Sequence, residues 1–258
     1  MQFTFYKYQG TGNDFVIIDN RQDIFFKNDT KLIAHICDRK FGIGADGLIL
    51  LENHSKLDFK MVYYNADGNQ SSMCGNGGRC LVHFAKFLGI ITSEATFEAI
   101  DGDHSASITE EGMVSLKMND VHEINSDKDY IFLNTGSPHH VSLCDALDTF
   151  DVHAEGAKLR HNLYGEEGAN INFVKPLKDN NFAVRTYERG VEAETLSCGT
   201  GVTAVALAMH HSDKTQAEEV VLHTPGGQLK VSFQKTDTGY SDIYLTGPAV
   251  QVFKGTWS

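Results

Sequence analysis

The stretch Ser197-Cys198-Gly199-Thr200-Gly201-Val202-Thr203-Ala204-Val205-Ala206-Leu207-Ala208-Met209-His210 decides how this chain folds. From about Gly201 to His210 it reads as a helix. Val202, Ala204, Val205, Ala206, Leu207, Ala208 and Met209 leave it no polar face until His210. A helix that is apolar all round is buried on every side. At roughly ten residues it is too short to span a bilayer. The economical picture is a strongly curved sheet wrapped around a central helix.

The same unit occurs earlier in the chain. Strand Lys60–Tyr64 leads through Asn65-Ala66-Asp67-Gly68 to Cys74-Gly75-Asn76-Gly77 and a helix from about Gly77 to Leu88. Strand Phe182–Tyr187 leads through Glu188-Arg189-Gly190 to Cys198-Gly199-Thr200-Gly201 and the helix just described. The repeat is one of pattern, because side-chain identity between the halves is low. It predicts an α+β fold of two pseudo-symmetric domains, each a curved, mostly antiparallel sheet around a buried helix, with the active site in the cleft between them. Charge rises and apolar runs stop near 120–129, so the expected halves are 1–119, carrying Cys74, and 120–258, carrying Cys198. The tail, about residues 250–258, is expected to pack back onto the first half.

Short β-branched or aromatic runs bounded by Gly, Asn or Asp supply the strands. They are Phe15–Ile18, Leu48–Leu51, Phe59–Tyr64, Val114–Met118, Ile131–Leu133, Ile171–Val174, Phe182–Arg185, Val220–Leu222 and Leu229–Phe233. A further helix is predicted from Thr30, as its cap, through Arg39, with Leu32, Ile33 and Ile36 on one side. Over 258 residues the hydrophobic fraction is 41% and the charged fraction 22%, ordinary for a globular protein. Lys+Arg 22 against Asp+Glu 34 gives a net charge of -12, which disfavours nucleic-acid and polybasic membrane partners. No charged leader followed by an apolar stretch opens the chain, so a soluble cytoplasmic protein is expected.

Cys-Gly-x-Gly at a helix start has a definite chemistry. Glycine lets a ligand approach the backbone. The first helical N–H groups lack internal partners and carry partial positive charge, so they receive a carboxylate or phosphate. The same terminus draws an adjacent cysteine toward thiolate. Each half therefore supplies an anion cradle (Gly75-Asn76 in one, Gly199-Thr200 in the other) together with a polarised sulfur. Two sulfurs flanking one bound carboxylate are suited to proton exchange at the carbon beside it. One thiolate removes the α-proton while the opposite thiol delivers another to the other face.

Other patterns carry less. Cys37, Cys80 and Cys144 read as small buried hydrophobes, and five scattered cysteines make a poor disulfide framework. The adjacent pairs His139-His140 and His210-His211 point in different directions along a strand or helix, and no metal site is expected. Gly42-Ile43-Gly44-Ala45-Asp46-Gly47 matches GxGxxG in letters, but it follows a helix and precedes a strand, the reverse of a dinucleotide site. It is read as a turn.

Taken together, the motifs resemble one family. Gly12-Asn13-Asp14-Phe15, Gly42–Asp46, Tyr64–Gly68, Met73–Gly77, Gly136-Ser137-Pro138-His139, Tyr187–Gly190, Cys198–Gly201 and Pro225-Gly226-Gly227 occur in the order found in the diaminopimelate epimerases, over nearly the whole length. That family is a cofactor-independent, two-cysteine isomerase. The resemblance implies inversion of one α-carbon of LL-2,6-diaminopimelate to the meso form, in lysine and cell-wall precursor synthesis, with no cofactor. It implies Cys74 and Cys198 as the catalytic pair, and Asn13, Asn65, Gly75, Asn76, Asn170, Glu188, Arg189, Gly199 and Thr200 as substrate-binding positions. Arg189 would hold the distant carboxylate with two parallel bonds. Glu188 and His139 would help set thiol protonation. Ser137 stands where the family usually has Asn, and Gly47 where some members carry Gln. A homodimer is also implied, with Phe253 at the position of a contributing aromatic.

Two other readings are open at this point. One is a cofactor-independent racemase or epimerase of histidine, proline or hydroxyproline. The other is a noncatalytic redox sensor in which Cys74 and Cys198 form a reversible disulfide.

Overall fold

The computed structural model describes residues 2–27, 29–71 and 73–258. The chain divides into two compact units, Met1–Leu116 with Gly247–Ser258, and Lys117–Thr246.

The first unit contains β1 (Phe3–Gly10), β2 (Asn13–Asp19), α1 (Thr30–Cys37), β3 (Gly47–Glu52), β4 (Phe59–Asn65), α2 (Gly75–Phe87), β5 (Glu94–Ala99), β6 (Gly102–Ile108) and nearly all of β7 (Met113–Lys117). β2 pairs with β3 in parallel and β4 with β5 in parallel, while β1–β2, β3–β4, β5–β6 and β6–β7 are antiparallel. β2, β3 and β4 are almost wholly buried because they are covered on both faces. Val16, Ile18, Leu48, Leu50, Val62 and Tyr64 pack with Ile33 and Ile36 of α1. Their alternate neighbours Phe15, Ile49 and Met61 lie under α2, where Gly77 lets the helix close in. A Cβ at Gly77 would come 3.0 Å from Ile49 Cδ1.

The cap of α1 differs from the sequence reading. Thr30 is the first helical residue and Asp29 is the cap, its carboxylate accepting from Leu32 N at 2.9 Å. The helix stops at Cys37, short of Arg39, because Asp38 turns extended and its carboxylate accepts from Lys40 N and Phe41 N instead.

The second unit contains β8 (Ile124–Ser126), β9 (Ile131–Asn134), β10 (Pro138–Leu143), α3 (Val152–Tyr164), β11 (Asn170–Pro176), β12 (Asn181–Glu188), β13 (Ala193–Thr195), α4 (Gly199–His211), β14 (Glu219–Thr224), β15 (Gly227–Thr236) and β16 (Gly239–Pro248), whose last residues belong to the first unit. β10–β11 and β12–β14 are parallel, and the other pairings within this unit are antiparallel. Val202, Thr203, Ala204, Val205, Ala206, Leu207 and Ala208 of α4 are fully buried. Each Val or Leu so placed contributes about 1.5–3 kcal/mol from burial. Thr203 satisfies its hydroxyl inside the helix, donating to Gly199 O at 3.0 Å. α3, which the sequence reading leaves out, lies over β11 and β12.

The two units repeat one connection scheme. A strand leads through a helix to a parallel partner, then to an antiparallel strand, then through the cysteine-headed helix to a second parallel strand and its hairpins. In the first unit this runs β2-α1-β3-β4-α2-β5. In the second it runs β10-α3-β11-β12-α4-β14, with the short β13 inserted between β12 and α4. The last strand, β17 (Val250–Trp257), pairs antiparallel with β1 and so belongs to the first unit.

Candidate functional site

Each candidate cysteine is the capping residue of its helix. Cys74 precedes α2 with extended backbone, φ -99 and ψ 124, and Cys198 precedes α4 with φ -117 and ψ 115. The carbonyl of each already accepts the first helical bond, from Gly78 N at 2.7 Å and Val202 N at 3.0 Å. Neither helix takes a side-chain cap bond. The backbone thus presents the N–H groups of Gly75-Asn76 and Gly199-Thr200 at positively polarised helix heads. Cys74 and Cys198 are half-buried, while Cys37, Cys80 and Cys144 are buried. Burial pushes the Cys37 and Cys80 thiols up to about 12, which removes them as nucleophiles or bases.

Around Cys74 the first unit assembles a polar group from four segments. Cys74 Sγ donates to Asn13 Oδ1 at 3.4 Å, and Asn76 Nδ2 donates to the same oxygen at 3.3 Å. Asn13 Nδ2 donates to Asp46 Oδ2 at 2.6 Å. Arg39 binds Asp14 through both terminal nitrogens, at 3.0 and 2.6 Å, and reaches Asp46 Oδ1 at 2.7 Å. Lys7, nearly buried, completes the cluster on Asp14 Oδ2 at 2.6 Å and on Gly44 O. Burial alone would push the Asp14 carboxyl up, but Arg39 and Lys7 outweigh it and hold it well below the usual range. The segment Gly42–Gly47, set aside as a dinucleotide motif, therefore has another use: its Asp46 orients Asn13.

Arg79 is the other unforeseen residue. It is fully buried, donating through Nη2 to Asn76 Oδ1 at 3.0 Å and Thr11 Oγ1 at 3.4 Å. Among the described residues its Nε and Nη1 have no hydrogen-bond partner. Burial pulls its pKa down, opposed by its neighbours Cys80 and Cys74. An arginine keeps its charge nonetheless.

Asn65 ends β4 and is exposed, its N–H closing a turn onto Asn69 O at 3.0 Å. It pairs across the sheet with Gly47. A Cβ at Gly47 would meet Tyr63 Cε2 and Tyr64 O, each at 2.5 Å, so no larger side chain fits there.

In the second unit Cys198 Sγ lies 3.5 Å from Thr200 Oγ1, which is 2.9 Å from His139 Nε2. His139 Nδ1 is 3.2 Å from Asn172 Nδ2, and Asn172 Nδ2 also donates to His140 O at 2.9 Å. Thr186 Oγ1 donates to Asn172 Oδ1 at 2.9 Å. Burial, with the positive charge of Arg189, pulls His139 down to about 3, so its ring is neutral. A second cluster joins Asn170, Ser137 and Arg189. Asn170 Oδ1 accepts from Arg189 N at 2.9 Å, and Asn170 Nδ2 donates to Ser137 Oγ at 3.0 Å. The exposed Arg189 guanidinium reaches Glu167 O at 2.9 Å and Ser137 Oγ at 3.5 Å. Glu188 accepts from Thr195 Oγ1 at 2.7 Å.

Sequence reasoning thus names the cysteines and their cradles but misses Asp46, Arg79, Asn172 and Thr186, which hold the candidate side chains in place. The only signal for Asp46 was its place in the Gly42–Asp46 motif. Nothing local marks Asn172.

Comparison with known proteins gives a consistent picture. The family model for diaminopimelate epimerase matches residues 5–123 and 131–252. A diaminopimelate epimerase of Flavobacterium psychrophilum is 59% identical over 252 residues, covering 97% of this chain and 98% of the relative. One of Chlorobaculum tepidum is 42% identical, covering 96% and 98%. Among solved structures, a Bacillus anthracis phenazine biosynthesis protein of the PhzF family superposes with TM-score 0.81 at 13% identity, covering 100% of this chain and 99% of that one. A hydroxyproline epimerase from Agrobacterium vitis superposes with TM-score 0.73 at 14% identity, covering 99% and 92%. At such identities the structural likeness speaks for the fold.

Proposed function

Because the chain belongs to the diaminopimelate epimerase family, we propose that it inverts one α-carbon of LL-2,6-diaminopimelate to give the meso isomer, without pyridoxal phosphate. The observation that carries this reading is the repeated capping cysteine ahead of Gly-x-Gly, one in each unit, on a buried helix. The substrate α-carboxylate is received by backbone N–H groups at the helix heads. One thiolate takes the α-proton, breaking C–H and forming S–H. The other thiol gives its proton to the opposite face, and the configuration inverts with no change of oxidation state.

The α-proton is far less acidic than a thiol. Stabilisation of the enolate-like charge by preorganised N–H donors is therefore the larger contribution. Positioned acid–base groups add about 10²–10⁴-fold. His139, neutral, acts on Cys198 through Thr200. Asn13 acts on Cys74 directly. Arg189, with Asn170 and Ser137 beside it, is suited to the distal carboxylate and Asn65 to a polar group of the same substrate. Glu188, beside Arg189 in the chain, completes the binding set.

The activity places the protein in lysine and peptidoglycan precursor synthesis, and we read it as a cytoplasmic homodimer. Among the described residues no helix is long and apolar enough to cross a membrane. β17 leaves Val250, Val252 and Phe253 exposed, which supports the dimer. The direct test is incubation with LL-diaminopimelate beside proline, hydroxyproline and histidine, with products separated by chiral chromatography. Meso-diaminopimelate alone is expected. Racemisation of one of the other amino acids in its place overturns the substrate assignment.

A further inference from the structure

We propose that Arg160 is a positioning residue for substrate recognition: through Glu192 and the segment after α3 it holds the exposed Arg189 guanidinium where a distal carboxylate is received. The inference rests on the reading of Arg189 as the partner of that carboxylate, and it names what keeps Arg189 in place.

The turn that carries Arg189 joins β12 to β13, with Glu188 paired to Ala193 across the hairpin. Glu192 N donates to Glu188 O at 2.8 Å, so Arg189, Gly190, Val191 and Glu192 form the loop. Glu192 has φ 55, a left-handed conformation that a residue with a Cβ adopts at a cost. Its carboxylate offsets that cost. Oε1 accepts from Gly190 N at 3.0 Å, and Oε2 accepts from the Tyr187 hydroxyl at 3.1 Å. Oε1 also accepts from Arg160 Nε of α3, at 3.1 Å. Backbone strain held in place by its surroundings in this way is a feature of functional sites.

Arg160 ties this turn to a second segment. Its side chain is only 12% exposed, low for an arginine. Nη1 donates to Gly165 O, just past the end of α3, at 2.5 Å. The guanidinium lies against Gly168, where a Cβ would come 2.5 Å from Arg160 Cζ, so a larger residue could not close over it. The residue before Gly168, Glu167, presents the carbonyl that accepts from Arg189 Nη1 at 2.9 Å. Two residues beyond Gly168, Asn170 Oδ1 accepts from Arg189 N at 2.9 Å. Arg189 thus has its main chain in the turn and rests its side chain on the segment after α3. Arg160 is bonded to both.

The effect of such a tether is on binding. An unrestrained surface arginine samples many rotamers, and a ligand that fixes it gives up part of its binding free energy. A guanidinium already held in the bound arrangement loses less. The distal carboxylate is remote from the carbon that reacts, so the contribution is made alike before and during the chemical step. Loosening the tether is expected to raise KM by about two- to tenfold, with kcat little changed.

The test is a double-mutant cycle in the full-length protein. Glu192→Gly removes the tether, and glycine takes φ 55 without strain, so the turn keeps its backbone. Arg160→Met removes the tether from the other side. Each alone is expected to raise KM for LL-diaminopimelate by the stated factor. In Arg189→Met neither should raise it further, because the residue they position is gone. A merely structural role would multiply KM alike in both backgrounds, and that result overturns the proposal. A wild-type KM in either single variant overturns it too. Should Arg160→Met fail to fold, Glu192→Gly carries the cycle alone. The folded Arg160→Met protein is also read without turnover, by the rate of trypsin cleavage after Arg189. That rate is expected to rise severalfold over wild type, and an unchanged rate overturns the proposal. If the wild-type protein leaves LL-diaminopimelate unconverted, the functional reading fails instead. Cleavage still tests the tether in that case, so the two failures are told apart.

Discussion

Asn172 Nδ2 stands 3.2 Å from His139 Nδ1, with both residues fully buried on neighbouring parallel strands. The amide thereby fixes the tautomer of a histidine that never sees bulk water. Asn172→Leu leaves His139 Nδ1 and the Thr186 hydroxyl without this partner, and the loss of stability is expected at about 1–3 kcal/mol. Urea unfolding measures it. A change below a few tenths of a kcal/mol would show that the network contributes nothing.

Gly201 is where α4 meets that network. A Cβ there would come 2.7 Å from Asn172 Oδ1 and 3.1 Å from Cys198 Cβ. Gly201→Ala therefore has to displace Asn172, Cys198 or both, at a cost of about 1–3 kcal/mol. Thermal melting should show a lower Tm and the activity assay a lower kcat. An alanine variant with unchanged Tm and kcat would mean that the helix head has room the packing denies.

Burial holds His139 down to about 3 and His140 down to about 4. In the unfolded chain both rings titrate near 6.5. Between these values the unfolded state binds more protons than the folded one. Stability is thus complete above about pH 6.5 and declines as pH falls, by up to about 1.4 kcal/mol per unit for each ring. Unfolding free energies at pH 7 and pH 5 should differ in that sense, and His140→Asn should flatten the slope. A protein equally stable at both pH values contradicts the buried neutral rings.

Arg189 is exposed and already bent toward Ser137 Oγ and Glu167 O. If it binds the distal carboxylate, Arg189→Met removes charge-assisted bonds of about 1.5–3 kcal/mol, a rise in KM of roughly ten- to hundredfold. Steady-state kinetics separates this from a fall in kcat alone, which would place Arg189 outside substrate binding.

Much of this was legible in the sequence, for identifiable reasons. The apolar run Val202–Met209 could only be a buried helix, and Cys-Gly-x-Gly announced both helix heads. What stayed hidden depends on contacts that periodicity does not record. In α3 only Val152 and Gly156 are buried, and Gly156 makes its contact by lacking a side chain: a Cβ there would lie 2.5 Å from Tyr187 Cβ. The helix's remaining apolar contacts, Ala157, Leu159 and Tyr164, are only partly buried, so the stripe is weak and interrupted by the glycine. Arg79 was invisible for the opposite reason. A charged residue in a helix is expected in solvent, yet this one is buried against Asn76 and Thr11. Asp46 and Asn13 are far apart in the chain, and the parallel pairing of β2 with β3 brings them close enough for their side chains to bond.

Exchange of each cysteine for serine asks whether both sulfurs are needed. Cys74→Ser and Cys198→Ser should each lower kcat by about 10²–10⁴-fold, the usual worth of a positioned acid or base, with Tm close to wild type. Full activity in either variant, folded by circular dichroism, would remove that residue from the chemistry.

The account's central claim is that inversion proceeds by removing one proton from carbon and returning another from the protein. Turnover of LL-diaminopimelate in D₂O, followed by mass spectrometry and NMR of the product, measures this directly. The account predicts meso product carrying one deuterium at the inverted α-carbon. Inverted product that retains protium there, after a single conversion in fully deuterated solvent, would contradict it.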